Sequence, residues 1–118
     1  MIFDHLDLIA HQKQENESWV EQTRVLVTNP KDHPLNIEWL RFEPDSECPE
    51  PLRQQPHIAY RVDDMDKAAE GMKVLIEPMV VDNFVKVGFY EYKDGSLVEF
   101  MQYLKSDDEW FPNQNKGD

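Results

Sequence analysis

Two histidines and two glutamates are spaced along this sequence so that they could together hold a metal ion. His5 lies in the run FDHLDLIA and His57 opens HIAYRV, while Glu38 lies in NIEWL and Glu99 lies in LVEFM. Imidazole nitrogens and carboxylate oxygens suit a divalent ion such as Zn, Ni, Mn, Co or Fe(II). Both glutamates lie in apolar runs, where a buried carboxylate requires a partner or an ion. Open positions on such an ion would polarise oxygens of a substrate.

Each of these residues also has an ordinary structural interpretation. A histidine early in a strand is more often a hydrogen-bonded structural residue, and a glutamate in a strand is usually solvated on the outer face. The spacing is a weaker signal than a compact metal-binding motif. The case for a metal site therefore depends on the strands that carry the four residues.

The strand patterns place each candidate on a defined face. Alternation over residues 3–10 puts His5 and Asp7 on one face, and alternation over residues 35–43 puts Glu38 with Leu40 and Phe42. In the second half, His57 shares a face with Ala59 and Arg61 in residues 57–62. In residues 96–104, Glu99 shares a face with Leu97 and Met101.

The chain reads as an internal repeat within one domain, 1–118. Module one covers about 1–44, a proline-rich linker covers 45–56, module two covers 57–104 and a polar tail covers 105–118. Each histidine opens its module and each glutamate closes it. A pseudo-two-fold arrangement of the modules would bring the four residues to one concave sheet face, in an α+β fold.

The two modules differ in their helices. Residues 11–18 are polar and without period, so module one has an abbreviated or missing helix. In module two, Asp63 or Asp64 caps a helix whose apolar stripe is predicted to comprise Met65, Ala68, Ala69, Met72 and Leu75. Asp94-Gly95 predicts a tight hairpin turn before the last strand.

Composition narrows the classes of partner. A net charge of -12 disfavours nucleic acid and anionic membrane surfaces as partners. Cys48 is the only cysteine, and the N-terminal segment does not read as a signal peptide. We therefore expect a cytoplasmic protein.

The second half resembles a known family. PHIAYRVDDMDKAAEGMKVLIEP followed by VGFYEYKDGSLVEFMQYL is similar to the second βαβββ module of the vicinal oxygen chelate superfamily, which includes glyoxalases, bleomycin-resistance proteins and dioxygenases. FDHLDLIA resembles the family's opening strand. NIEWLRFEPDSECPEPLRQQPHIAYRVDD resembles the join between modules in methylmalonyl-CoA epimerase-like members.

The resemblance implies a cupped, eight-stranded mixed sheet made of paired βαβββ modules, usually in a homodimer. It implies a divalent metal ion in the cup, bound by His5, Glu38, His57 and Glu99. Family members isomerise, lyse or oxygenate small molecules, or only sequester them.

These observations predict a metal-dependent isomerase, epimerase or lyase acting on a small carbonyl or acyl substrate, in which Glu38 or Glu99 moves the proton. The alternatives are a small-molecule binding or resistance module and, less favoured, a ferrous dioxygenase using His5, His57 and Glu99. Arg61 is predicted to bind a substrate carboxylate or phosphate, with a rim salt bridge as the alternative. Asp7 is expected to orient His5 or simply to be solvated.

Overall fold

The computed structural model describes residues 1–104, so the predicted tail lies outside the described residues. Eight strands form one mixed sheet in the order β2-β3-β4-β1-β5-β8-β7-β6. The strands are β1 (Ile2–Ile9), β2 (Ser18–Val20), β3 (Val25–Val27), β4 (Ile37–Phe42), β5 (His57–Arg61), β6 (Lys73–Val81), β7 (Val85–Glu91) and β8 (Leu97–Tyr103). Two α-helices, α1 (Glu50–Gln54) and α2 (Met65–Ala68), and a 3-10 turn (Pro30–Asp32) complete the described elements.

The strand order repeats about the centre of the sheet. β1 pairs in parallel with β4, β5 pairs in parallel with β8, and β1 and β5 pair antiparallel to each other between them. The sheet curls into a half-barrel, which confirms the predicted cup built from paired modules. Among the described residues, no α-helix lies between β1 and β2, as the polar run 11–18 predicts.

Alternation along the strands separates a concave face from a convex face. On the convex face, α2 packs through Met65 against Tyr90, Val98 and Phe100, which are all buried. The backbone N–H of Met65 also donates to the side-chain oxygen of Gln102 at 2.7 Å. This contact anchors the start of the helix on β8 and leaves the opposite face of β8 free to line the cup.

The predicted helix of module two is too long. The helix ends at Ala68, and Leu75 lies in β6 instead of on a helical stripe. Gly71 takes a positive φ of 82°, a conformation that glycine adopts without a Cβ penalty, so the chain can turn back there into a strand. Pro78 is tolerated in β6 because β6 is an edge strand whose pairing with β7 is irregular between Ile76 and Met79.

The helix cap and the hairpin follow their predictions. Asp64 is the N-cap of α2 and accepts from the backbone N–H of Lys67 at 3.2 Å. Gly95 has a positive φ of 91° in the turn between β7 and β8. A short helix, α1, was not predicted within the proline-rich segment, and its Leu52 is buried against Leu97. No helix in residues 1–104 has both the length and the apolar character needed to cross a membrane.

Candidate metal centre

The four central strands of the sheet carry the candidate residues into one place. Asp7 on β1 lies directly opposite Glu38 on β4 and opposite His57 on β5. His5 lies opposite Ala59, and Ala59 lies opposite Glu99 on β8. Ala59 is fully buried, and its small side chain lets His5 and Glu99 approach each other across β5.

The side chains converge through the Nε2 atoms of the two histidines. His5 Nε2 lies 3.1 Å from an oxygen of Asp7, 3.3 Å from Glu38 and 3.7 Å from Glu99. His57 Nε2 lies 2.9 Å from the same oxygen of Asp7 and 3.1 Å from Glu99. The structure thus brings together His5, Glu38, His57 and Glu99, as the sequence predicts, and places Asp7 among them.

The donor set fits a divalent cation. His5 Nε2 and both carboxylate oxygens of Asp7 are buried and make no hydrogen bond. His5 Nε2 nevertheless lies only 3.1 Å from one of these oxygens. Nitrogen and oxygen atoms of His5, Asp7 and Glu99 that could bind an ion all lie within 4.8 Å of one another. Unpaired buried polar atoms are costly, and three carboxylates crowded in an apolar cup repel one another. A divalent ion among them would relieve both penalties.

The charges of the centre are strongly coupled. Burial opposes the charge on His57, but contacts with Asp7 and Glu99 outweigh it and raise the pKa of His57 to about 10. The pKa of His5 is raised for the same reason, by Asp7, Glu38 and Glu99 against its burial. Burial and the neighbouring Asp7 raise the pKa of Glu38 to about 9. Without an ion, the centre therefore neutralises itself by holding protons.

Asp7 is more strongly acidic than an ordinary carboxyl. Burial favours its protonated form, but contacts with Glu38, His5 and His57 outweigh burial and lower its pKa. The side chain of Asp7 is only 1% exposed, compared with 10% for Glu99 and 18% for Glu38. Asp7 therefore keeps its negative charge to lower pH than an ordinary aspartate does.

Asp4 orients His5, and the sequence pattern did not indicate it. Its carboxylate oxygen lies 2.6 Å from Nδ1 of His5, on the side of the ring that faces away from Asp7 and Glu99. Simple alternation puts Asp4 on the opposite face from His5. A bulge in β1 between Phe3 and His5, where Phe3 pairs with Tyr60 and His5 pairs with Ala59, breaks that alternation.

Arg61 lies at the edge of the site. Its Nε is 3.2 Å from an oxygen of Asp4, and its side chain is 49% exposed. The guanidinium also lies 5.8 Å from the ring centre of Tyr103. Asp4 and Tyr103 line the cavity but Arg61 does not, so its predicted contact with a substrate stays a prediction.

The centre forms the acidic floor of an otherwise apolar cavity of about 360 Å³. Apolar side chains from both modules and from the linker form most of the wall, among them Val25, Leu40, Leu52, Met79, Phe89 and Met101. Lys31 is the one lysine or arginine among the described residues that line the cavity. Such a space suits a small, largely apolar molecule with a polar group directed at the floor.

A solved structure shares this cupped fold. A methylmalonyl-CoA epimerase from Mycobacterium tuberculosis superposes with a TM-score of 0.55 at 14% identity, over 87% of this chain and 88% of the epimerase. A glyoxalase/bleomycin resistance protein/dioxygenase superfamily member from Vibrio splendidus 12B01 gives a TM-score of 0.45 at 12% identity, over 85% and 97%. A glyoxalase family protein from Bacillus cereus gives 0.41 at 14%, over 89% and 95%. No family model and no curated protein sequence matches the chain. At these identities the likeness to the epimerase shows a shared fold and nothing finer.

Proposed function

We propose, from the vicinal oxygen chelate fold and the centre in its cup, that the protein is a divalent-metal-dependent isomerase, epimerase or lyase acting on a small carbonyl or acyl substrate. The observation that carries the proposal is the convergence of His5 and His57 with buried carboxylates on the floor of an apolar cavity. The predicted homodimer and cytoplasmic location stay predictions.

The residues predicted to hold the ion are His5, Glu38, His57 and Glu99. Asp4 would keep the His5 ring in place by its contact with Nδ1, which leaves Nε2 directed at the carboxylates. A bound divalent ion would polarise a carbonyl oxygen of the substrate and stabilise the negative charge that develops there.

Glu38 is the better placed of the two glutamates to move a proton. Its side chain is more exposed than that of Glu99 and lines the cavity, so a bound substrate could reach its carboxyl group. The apolar walls would exclude water from the reacting carbon and so strengthen the electrostatic contacts around it.

A binding module without catalysis is the second candidate, and the apolar walls of the cavity favour it. Such a module needs the cup but does not need a group that transfers protons. The crowding of Asp7 and Glu38 around the three residues of the predicted ferrous triad makes a dioxygenase less favoured, because oxygen chemistry needs open positions on the ion.

Hydrogen exchange at the substrate separates the two candidates. We expect the metal-loaded protein to exchange the α-hydrogen of one or more 2-oxo acids or acyl thioesters for deuterium, followed by NMR. Glu38→Gln should slow the exchange by about 100-fold or more, the usual loss for a general base. Glu70→Gln, an exposed substitution outside the cavity, should leave it unchanged. A protein that binds metal but exchanges the α-hydrogen of no compound in a broad panel would be a binding module.

A further inference from the structure

We propose that Asp7, and not Glu38, completes the ligand set with His5, His57 and Glu99. The inference rests on the proposed metal dependence and changes which carboxylates contact the ion. It gives a role to a buried acid that the sequence pattern assigned only to orienting His5.

Asp7 faces the Nε2 side of both imidazole rings. A carboxylate that orients a metal-binding histidine contacts the ring nitrogen that the ion does not use. Asp4 occupies that position on His5, at Nδ1. Asp7 instead faces the Nε2 atoms of both histidines, at 3.1 Å from His5 and 2.9 Å from His57. It therefore lies on the ligand side of both rings.

Asp7 and Glu99 are the two carboxylates that contact both histidines. Glu99 lies 3.1 Å from His57 Nε2 and 3.7 Å from His5 Nε2. Glu38 makes such a contact with only one of the two histidines, His5, at 3.3 Å. Two imidazoles bridged by two carboxylates form the centre of the cluster, and Glu38 lies beside it.

Burial separates the carboxylates in the same way. The side chain of Asp7 is 99% buried, and neither of its oxygens has a hydrogen-bond partner. One of these oxygens lies at ion-pair distance from both histidines, and a desolvated carboxylate in that position is a pointer to a cation. All three carboxylates line the cavity, and Glu38 is the most exposed of them, so a substrate would reach it most easily.

This assignment leaves Glu38 as an independent carboxylate next to the ion. A ligand set of His5, Asp7, His57 and Glu99 supplies two nitrogen and two oxygen donors without it. Glu38 then need not leave the ion in order to exchange a proton with the substrate.

Metal affinity distinguishes the two assignments without measuring activity. Binding of Mn²⁺ to the full chain is followed by calorimetry and by electron paramagnetic resonance of the free ion, for the wild type, Asp7→Asn, Glu38→Gln and Glu99→Gln. Asp7→Asn and Glu38→Gln each replace a carboxyl group of the same cluster by an amide of nearly the same size, so the difference between them reports which of the two side chains contacts the ion.

Loss of a partner beside a metal ligand costs about 10–100-fold in affinity, and loss of a ligand costs more. We therefore expect Asp7→Asn to lower Mn²⁺ affinity by more than about 100-fold, as Glu99→Gln should, and by at least about tenfold more than Glu38→Gln. A Glu38→Gln loss larger than that of Asp7→Asn would overturn the assignment. A wild type that binds no Mn²⁺, Zn²⁺, Ni²⁺, Co²⁺ or Fe²⁺ would reject the proposed function as well, so the two failures are distinct.

A second variant covers the case in which Asp7→Asn does not fold. Asp7→Cys replaces the carboxylate by a soft thiolate, which favours Cd²⁺ over Mn²⁺. Direct ligation predicts a near-ultraviolet thiolate-to-Cd²⁺ charge-transfer band that the wild type, with Cys48 alone, does not show. Cd²⁺ binding by this variant without the band would contradict ligation at position 7.

Discussion

The stability of the metal-free protein should fall as the pH rises from 7 to 9. In the folded chain the pKa of His57 is about 10, against an ordinary value of 6.5, and that of Glu38 is about 9, against 4.5. In this window the unfolded chain has already lost these protons while the folded chain retains them. The stabilisation from the charged His57 is therefore complete below about pH 6.5 and is lost as the pH rises toward 10.

The magnitude follows from proton linkage. Each proton that the folded state binds in excess costs about 1.4 kcal/mol of unfolding free energy per pH unit. His57 and Glu38 hold up to two excess protons between pH 7 and pH 9, so the stability falls by about 3 kcal/mol for each and by up to roughly 5 kcal/mol in total. That loss is a large fraction of the total for a small domain.

Urea unfolding with EDTA at pH 7, 8 and 9, followed by circular dichroism, measures this dependence. His57→Gln should reduce the slope of stability against pH by about 1.4 kcal/mol per pH unit, the contribution of one proton. His11→Gln, an exposed loop substitution, should leave the slope unchanged. Saturating divalent metal should remove most of the dependence, because the ion displaces the retained protons. A metal-free stability that stays level or rises between pH 7 and pH 9 would refute the coupled centre.

Three substitutions test the surroundings of the site. Ala59→Leu should cost about 1–3 kcal/mol in urea unfolding and weaken metal binding, because the larger side chain fills the space between a histidine and a glutamate of the centre; unchanged metal affinity would contradict this packing. Leu52→Ala should cost about 2–5 kcal/mol, since Leu52 is 2% exposed in the cluster that joins α1 to the sheet; a loss below about 1 kcal/mol would mean that α1 contributes little. Arg61→Ala should change stability by less than about 1 kcal/mol, because its pair with Asp4 is half exposed; a larger loss would show that this pair supports the centre.

The sequence predicts the strands around the centre well because each carries a two-residue alternation with one buried face. That period places His5, His57 and Glu99 on the concave side, and the repeat of histidine first and glutamate last predicts their meeting. The fold class and the reduced first module follow from the same patterns. The resemblance adds the expectation that the ion lies in the cup.

The features that the sequence did not predict depend on departures from regular periods. A bulge in β1 turns Asp4 onto the face of His5, and alternation alone cannot indicate a bulge. Helix α2 ends at Ala68 and the chain turns at Gly71 into β6, although the apolar spacing of a helix continues in the sequence through Leu75. Asp7 was placed on the right face, but only the distances show that it touches both histidines.

Metal content tests the central claim most directly. The protein is purified without an affinity tag, its metals are measured by elemental analysis, and His57→Ala and Glu99→Ala are measured beside it. We predict about one divalent ion per chain in the wild type and loss of that ion in both variants. A folded wild type that holds no ion even after reloading with Zn²⁺, Ni²⁺, Mn²⁺, Co²⁺ and Fe²⁺ would contradict the metal centre, and a metal-free binding module would become the leading interpretation.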